Sequence, residues 1–272
     1  MARTARVNGI EMAYEDIGQP EAPVVVLVHG FPLGRWMWDA QHDAIVSAGY
    51  RGILPDLRGL GESTAAAPYS MDQYADDLAA LLDHLDIRRV VLGGLSMGGY
   101  VAFAFWRRYG RRVRALLLAD TRHTADTAEA RQNRFRAIEQ VRRDGVQSFT
   151  DAFADGLLGP TTKAENPVLL DALRRRMAAN SVDGVVGALG ALAERADSTA
   201  TLPSIRVPTL VMVGAEDSLA PPAVHEEMRA AIPGSRLVVV PGAGHVSPME
   251  APSAFNDAFR DFLNDSRIET AG

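Results

Sequence analysis

Val90-Val91-Leu92-Gly93-Gly94-Leu95-Ser96-Met97-Gly98-Gly99-Tyr100-Val101-Ala102-Phe103-Ala104-Phe105 decides the reading of this chain. The apolar run at its start predicts a buried strand, and the run from Met97 predicts a helix. Between them stands Gly94-Leu95-Ser96-Met97-Gly98, a Gly-x-Ser-x-Gly turn in strand–turn–helix context. Such a turn is tight enough that its flanking positions tolerate little more than hydrogen as a side chain. It lifts the Ser96 hydroxyl above the sheet edge as a candidate nucleophile. It also sets the Met97 N–H at a helix N-terminus, where negative charge is favoured.

Working outward, the same alternation recurs. Val24 to His29 is a continuous apolar run, as expected of a strand buried on both faces. Further strands are predicted at Gly52–Pro55, Val90–Gly93, Ala115–Ala119, Thr209–Val213 and Leu237–Val240, and a hairpin over residues 3–17 around Asn8-Gly9. Helical patterns fill the intervals at Arg35–Ala48, Met71–Leu85, Met97–Tyr109, Ala223–Ala231 and Ser253–Asn264. Strands alternating with helices imply an α/β fold built on a mostly parallel, doubly wound sheet.

The alternation breaks once. No convincing strand lies between Asp120 and Pro208, where helical patterns run at Asp126–Arg143, Val146–Leu157, Val168–Ala179 and Val182–Ala193. Gly159-Pro160 and Asn166-Pro167 fall between them as breakers. We therefore expect a core of residues 1–120 and 209–272, with residues 121–208 inserted after the sixth strand as a helical cap. A lid over that sheet edge would exclude water from Ser96. The alanine- and glycine-rich run Val185-Val186-Gly187-Ala188-Leu189-Gly190 is expected to leave a compact pocket for short acyl chains.

A serine nucleophile needs a base, and the base needs an acid to fix its tautomer. Of six histidines, His245 is the candidate base, because Gly242-Ala243-Gly244 lets it swing back to the sheet edge. His29 is expected to bond its own loop. His42, His84, His123 and His225 fall on or near predicted helices and are read as solvated or supporting. Asp217 and Asp120 both follow strands, and both would give the chain order serine, acid, histidine. Asp217 is preferred for its longer loop next to the histidine strand; Glu216 is expected to face solvent. The oxyanion donors are read as the N–H groups of Met97 and Phe31, since Gly30 allows close approach and Pro32 has no N–H. Gly30, Tyr100, Leu219 and Val246 are the candidate substrate contacts. Asp56-Leu57-Arg58-Gly59-Leu60-Gly61-Glu62-Ser63 only superficially resembles a phosphate loop and is read as structural.

Composition bounds the rest. The 272 residues, 47% of them hydrophobic, suit one large domain or a core with an insert. A net charge of −6, spread along the chain, argues against nucleic acid and anionic membrane as partners. The absence of cysteine excludes thiol catalysis, disulfides and cysteine metal sites. No spacing of His, Asp and Glu reads as a metal site. Residues 1–9 lack an apolar core of the kind signal peptides carry, so a cytoplasmic monomer or small homo-oligomer is expected. Lys163 is the only lysine. The arginine bias fits GC-rich coding, and arginine-for-lysine exchange is a family-dependent mark of thermostability.

His29-Gly30-Phe31-Pro32, the Asp56 to Ser63 loop, Gly94 to Gly99, the Asp217 loop and Gly242-Ala243-Gly244-His245 together resemble the α/β-hydrolase superfamily over nearly the whole chain. The run Gly93 to Phe105 with Ala119-Asp120-Thr121-Arg122 is similar to small bacterial, thermostable short-chain carboxylesterases. The resemblance implies Ser96 as nucleophile, Asp217 as acid, His245 as base, Phe31 and Met97 as oxyanion donors, a small-molecule ester as substrate, and no cofactor. The same motifs recur in enol-lactone hydrolases and cofactor-free haloperoxidases; His-Gly-Phe/Trp-Pro is common in the latter, so Pro32 points to a perhydrolase side reaction. Some proteins of this fold act instead as small-molecule receptors.

Overall fold

A computed structural model describes residues 2–265 and 268. Strands β1 (Arg3–Val7) and β2 (Ile10–Ile17) form the expected hairpin, with Asn8 and Gly9 both at positive φ (43° and 80°), as a two-residue turn between twisted strands requires. Then come β3 (Val24–Val28), β4 (Arg51–Pro55), β5 (Val90–Leu95), β6 (Val113–Ala119), β7 (Thr209–Gly214) and β8 (Arg236–Val240). The sheet order is β1-β2-β4-β3-β5-β6-β7-β8. β1 and β2 pair antiparallel, β2 joins β4 antiparallel, and all later pairs are parallel. This is the mostly parallel, doubly wound sheet that the alternation predicts.

β3 shows why its sequence is apolar at every position. Val24, Val26 and Val28 join a core on one side of the sheet, while Val25 and Leu27 join a second core on the other. Helices α1 (His42–Ser47), α2 (Met71–His84) and α3 (Met97–Tyr109) connect the first strands. The stretch read as one helix over Arg35–Ala48 is divided: a 3-10 turn covers Arg35–Gln41 before α1 begins. Tertiary anchors override helical propensity there. Trp38 is buried against Phe255, and Gln41 Nε2 donates to the Pro248 carbonyl and to Asn256.

Between β6 and β7 run α4 (Ala128–Asp144), α5 (Val146–Leu157), α6 (Pro160–Glu165), α7 (Pro167–Ala178) and α8 (Val182–Ala193). The short α6 is absent from the sequence reading. Pro160 and Pro167, taken as breakers, each open a helix, since proline fits the first turn, where its missing N–H leaves no bond unmade. After β7 follow α9 (Pro222–Ala231), and after β8 α10 (Ser247–Glu250) and α11 (Pro252–Leu263). Among the described residues no helix is long and apolar enough to cross a membrane.

Candidate active site

Ser96 sits between the last residue of β5 and the first of α3, at φ 53° and ψ −112°. A non-glycine residue at such φ is held only where its surroundings over-determine it. Here they do. The Ser96 N–H donates to the Ala119 carbonyl (2.9 Å), and its carbonyl accepts from Gly99 N–H (2.9 Å) and the Thr121 hydroxyl (2.7 Å). A Cβ at Gly94 would overlap the Gly98 carbonyl, and one at Gly98 the Val28 carbonyl.

His245, on the loop after β8, reaches Ser96: Oγ and Nε2 are 2.8 Å apart. Its Nδ1 lies 2.8 Å from Asp217 Oδ2, on the loop after β7. A carboxylate only accepts, so Nδ1 carries the proton and the Ser96 hydroxyl donates to Nε2. Asp217 is fixed in turn, with Oδ1 accepting from the N–H groups of Leu219 and Ala220, both at 2.8 Å. The His245 N–H donates to the Leu157 carbonyl at the end of α5 (2.8 Å), so the insert helps set the imidazole.

Asp120, the other acid considered, is buried and bonds elsewhere. Its Oδ1 accepts from Gly214 N–H (2.8 Å) and Oδ2 from the Ser247 hydroxyl (2.6 Å), bracing the ends of β7 and α10. Burial, then the charge of Asp217, push its carboxyl well above the usual range. His29 donates from Nδ1 to the Gly30 carbonyl (2.8 Å) and accepts from Leu57 N–H at Nε2 (2.9 Å), tying two loops together. His225 is fully buried and accepts from Thr121 N–H at Nε2 (3.0 Å); burial lowers its pKa to about 4. The Asp56 to Ser63 loop is held internally. Asp56 accepts from Arg35 N–H (2.6 Å) and Glu62 N–H (2.9 Å), and Arg58 pairs with Asp77 at 2.6 Å.

A cavity of about 230 Å³ opens on Ser96 and His245, with Phe31, Met97, Tyr100 and Leu219 in its wall. Met97 opens α3, so its N–H has no intrahelical acceptor, and the Phe31 N–H has none among the described residues. Gly30 and Val246 do not line the cavity. Gly30 lies against Leu95 and Ser96, where it allows the strand ends to close up. Val246 is buried, and its N–H donates to Glu250 (3.1 Å). The alanine–glycine run of α8 is small for another reason than the pocket. Gly184 packs on Gly59 and Gly187 on the Tyr69 ring, so these positions let α8 lie close to the core loop. Phe31 and Phe153 line the cavity, and Phe149 packs on both, the three ring centroids 5.1–6.0 Å apart.

Glu216 does not face open solvent. It accepts from Thr161 N–H (3.0 Å) and from the Thr161 hydroxyl in the first turn of α6. The sequence reading also missed the charged cavity wall of Arg122, Asp126, Arg134 and Arg195. They come from the loop after β6, from α4 and from the loop after α8, and share no spacing that a motif would capture. Glu15, Asp39 and His42 converge as three potential ligands that spacing does not reveal, but they are partly exposed, with His42 3.2 Å from Glu15 and Asp39 near Arg176.

A serine on a strained elbow at the carboxyl edge of such a sheet defines a fold class, the α/β hydrolases. The chain belongs to that family, whose alpha/beta hydrolase fold pattern matches residues 23–252. It superposes on a thermophilic esterase from Thermogutta terrifontis, solved with malate bound, at a TM-score of 0.93, with 42% identity over 98% of this chain and 99% of that one. It is 31% identical over 256 residues to a 3-oxoadipate enol-lactonase of Acinetobacter baylyi, covering 94% of each chain. A non-heme chloroperoxidase of Kitasatospora aureofaciens is 32% identical, over 94% of this chain and 97% of its own.

Proposed function

We propose that this protein is a serine carboxylesterase that hydrolyses short-chain carboxylic esters through an acyl-enzyme. The observation that carries the reading is the unbroken chain Ser96–His245–Asp217, with 2.8 Å at both steps, opening into a small cavity. Ser96 Oγ attacks the ester carbonyl carbon as its proton passes to His245 Nε2. The Met97 and Phe31 N–H groups hold the oxyanion, and Asp217 holds the imidazolium. His245 then protonates the departing alcohol. Water, deprotonated by the same imidazole, attacks the acyl carbon, and Ser96 leaves with the proton returned to it.

In this reading residues 1–120 and 209–272 are the catalytic core, and residues 121–208 are a lid that keeps bulk water from the acyl-enzyme. The enol-lactonase relative favours one second reading. A lactone is an internal ester, and the same steps open it. Peroxide attack on the same intermediate would give a peracid, the side reaction to which Pro32 and the chloroperoxidase relative point.

The test is hydrolysis of p-nitrophenyl esters from acetate to palmitate by the wild type and Ser96→Ala. Activity should peak at short chains and fall by roughly 10⁴-fold or more in the variant. A profile rising toward palmitate, or activity that survives the substitution, would overturn the reading.

A further inference from the structure

The cavity on Ser96 carries more positive charge than a neutral ester requires. Arg122, Arg134 and Arg195 line it against a single carboxylate, Asp126. Asp126 pairs with Arg195 Nη1 at 2.6 Å and with Arg134 Nε at 3.2 Å, while Arg122 reaches only the neutral carbonyl of Leu219. Apart from Ser96 and His245, the charged groups of the wall are thus three guanidinium groups and one counter-charge.

All three have spare donors. Arg122 is held through one Nη alone, so its Nε and other Nη lack a protein acceptor among the described residues. Arg195 is a fixed part of the wall: its side chain is 4% exposed, it lies on the Tyr100 ring at 4.4 Å, and it donates to the Leu192 and Thr124 carbonyls, both at 3.1 Å. Its Nε–H is buried and has no acceptor among the described residues. Arg134, a quarter exposed, is held through Nε alone, so both of its Nη groups lack a protein acceptor among the described residues. A guanidinium fork matches a carboxylate in geometry, and charge removed from water without a partner is unfavourable. An anion entering this cavity would offset that penalty, whereas a purely apolar acyl chain would deepen it.

We propose, building on the ester-hydrolase reading, that the substrate bears a free carboxylate beside the scissile bond. The enzyme then acts on monoesters of short dicarboxylic acids. Arg134 and Arg122 receive the carboxylate while the ester carbonyl lies at Ser96. Arg195 and Asp126 position the guanidinium of Arg134.

The test compares monoethyl succinate with ethyl butyrate by pH-stat in the wild type, Arg134→Gln and Arg134→Glu. The wild type should prefer the anionic ester in kcat/KM by about tenfold or more, the scale of one charge-assisted pair. The preference should shrink about tenfold in Arg134→Gln, mainly through KM, and invert in Arg134→Glu. A wild type that favours ethyl butyrate, or a preference untouched by both variants, overturns the proposal. Calorimetry on Ser96→Ala reads the same subsite without turnover: monomethyl succinate should bind more tightly than methyl butyrate. Equal or absent binding also overturns it. Binding with no hydrolysis of either ester by the wild type would sink the esterase reading and leave the carboxylate subsite standing.

Discussion

At the scale of single residues, the site is flanked by buried titratable groups that lie outside the Ser96–His245–Asp217 hydrogen-bond chain. His225 is neutral when folded: its Nε2 accepts the Thr121 N–H, two residues past the end of β6. Its pKa falls from 6.5 to about 4, with burial as the main cause. The folded state therefore binds that proton less readily than the unfolded chain. Its contribution is present above pH 6.5 and is lost as pH falls toward 4, on the order of 3 kcal/mol in all. Asp120 works in the opposite sense: a carboxyl raised by burial favours the folded state at low pH and loses that contribution as pH rises. The difference between wild type and His225→Gln isolates the histidine. Urea unfolding should show the variant less stable at pH 7 and the gap closing by pH 4; parallel curves would contradict the assignment.

The residue scale is also where the sequence is most and least legible. Positions after strand ends name Ser96, Asp217 and His245, which the fold brings within 2.8 Å contacts. The same rule leaves Asp120 open. Two loop N–H groups on Asp217 and a serine hydroxyl on Asp120 distinguish them, and those partners exist only once the chain has folded. The arginine wall is unreadable for a like reason, since Arg122, Arg134 and Arg195 meet across two loops and one helix.

At the scale of elements, the strands are read well because burial on both faces leaves an uninterrupted apolar run. Helix ends are read less well where tertiary anchors compete with propensity, as at Trp38 and Gln41. Glycine shows how context sets the outcome of one substitution. Gly98→Ala would drive a methyl into the Val28 carbonyl and shift the elbow. It should cost about 1–3 kcal/mol by overpacking and lower kcat on the order of a hundredfold through misplacement of Ser96. Gly190→Ala, in α8, meets nothing within 4 Å. It should stabilise by about 0.5–1 kcal/mol from helix propensity alone, with kcat unchanged. Thermal melts with parallel kinetics distinguish the two.

At the scale of the whole molecule, the helices between β6 and β7 are fastened to the loops that carry Asp217 and His245. Besides Leu157 on His245, Gly159 N–H donates to Glu250 (2.8 Å), and Glu216 holds both donors of Thr161. Replacing Glu216 with alanine should free the first turn of α6, at a local cost of about 1.5–3 kcal/mol for bonds to a charged acceptor. Amide exchange over residues 157–165 should quicken by an order of magnitude or more, while β3 and β5 keep their protection. Uniform acceleration across the sheet would show instead that the fastening supports the entire fold.

The Leu157–His245 bond bears on how such proteins are recombined. A cassette cut at the two strand ends, residues 120 and 209, would look like a clean exchange unit between relatives. Its seam, however, is not confined to those ends. A donor segment must present a carbonyl where Leu157 does and a partner for Glu216 and Glu250, so the host's histidine loop and the imported helices have to be chosen as a matched set.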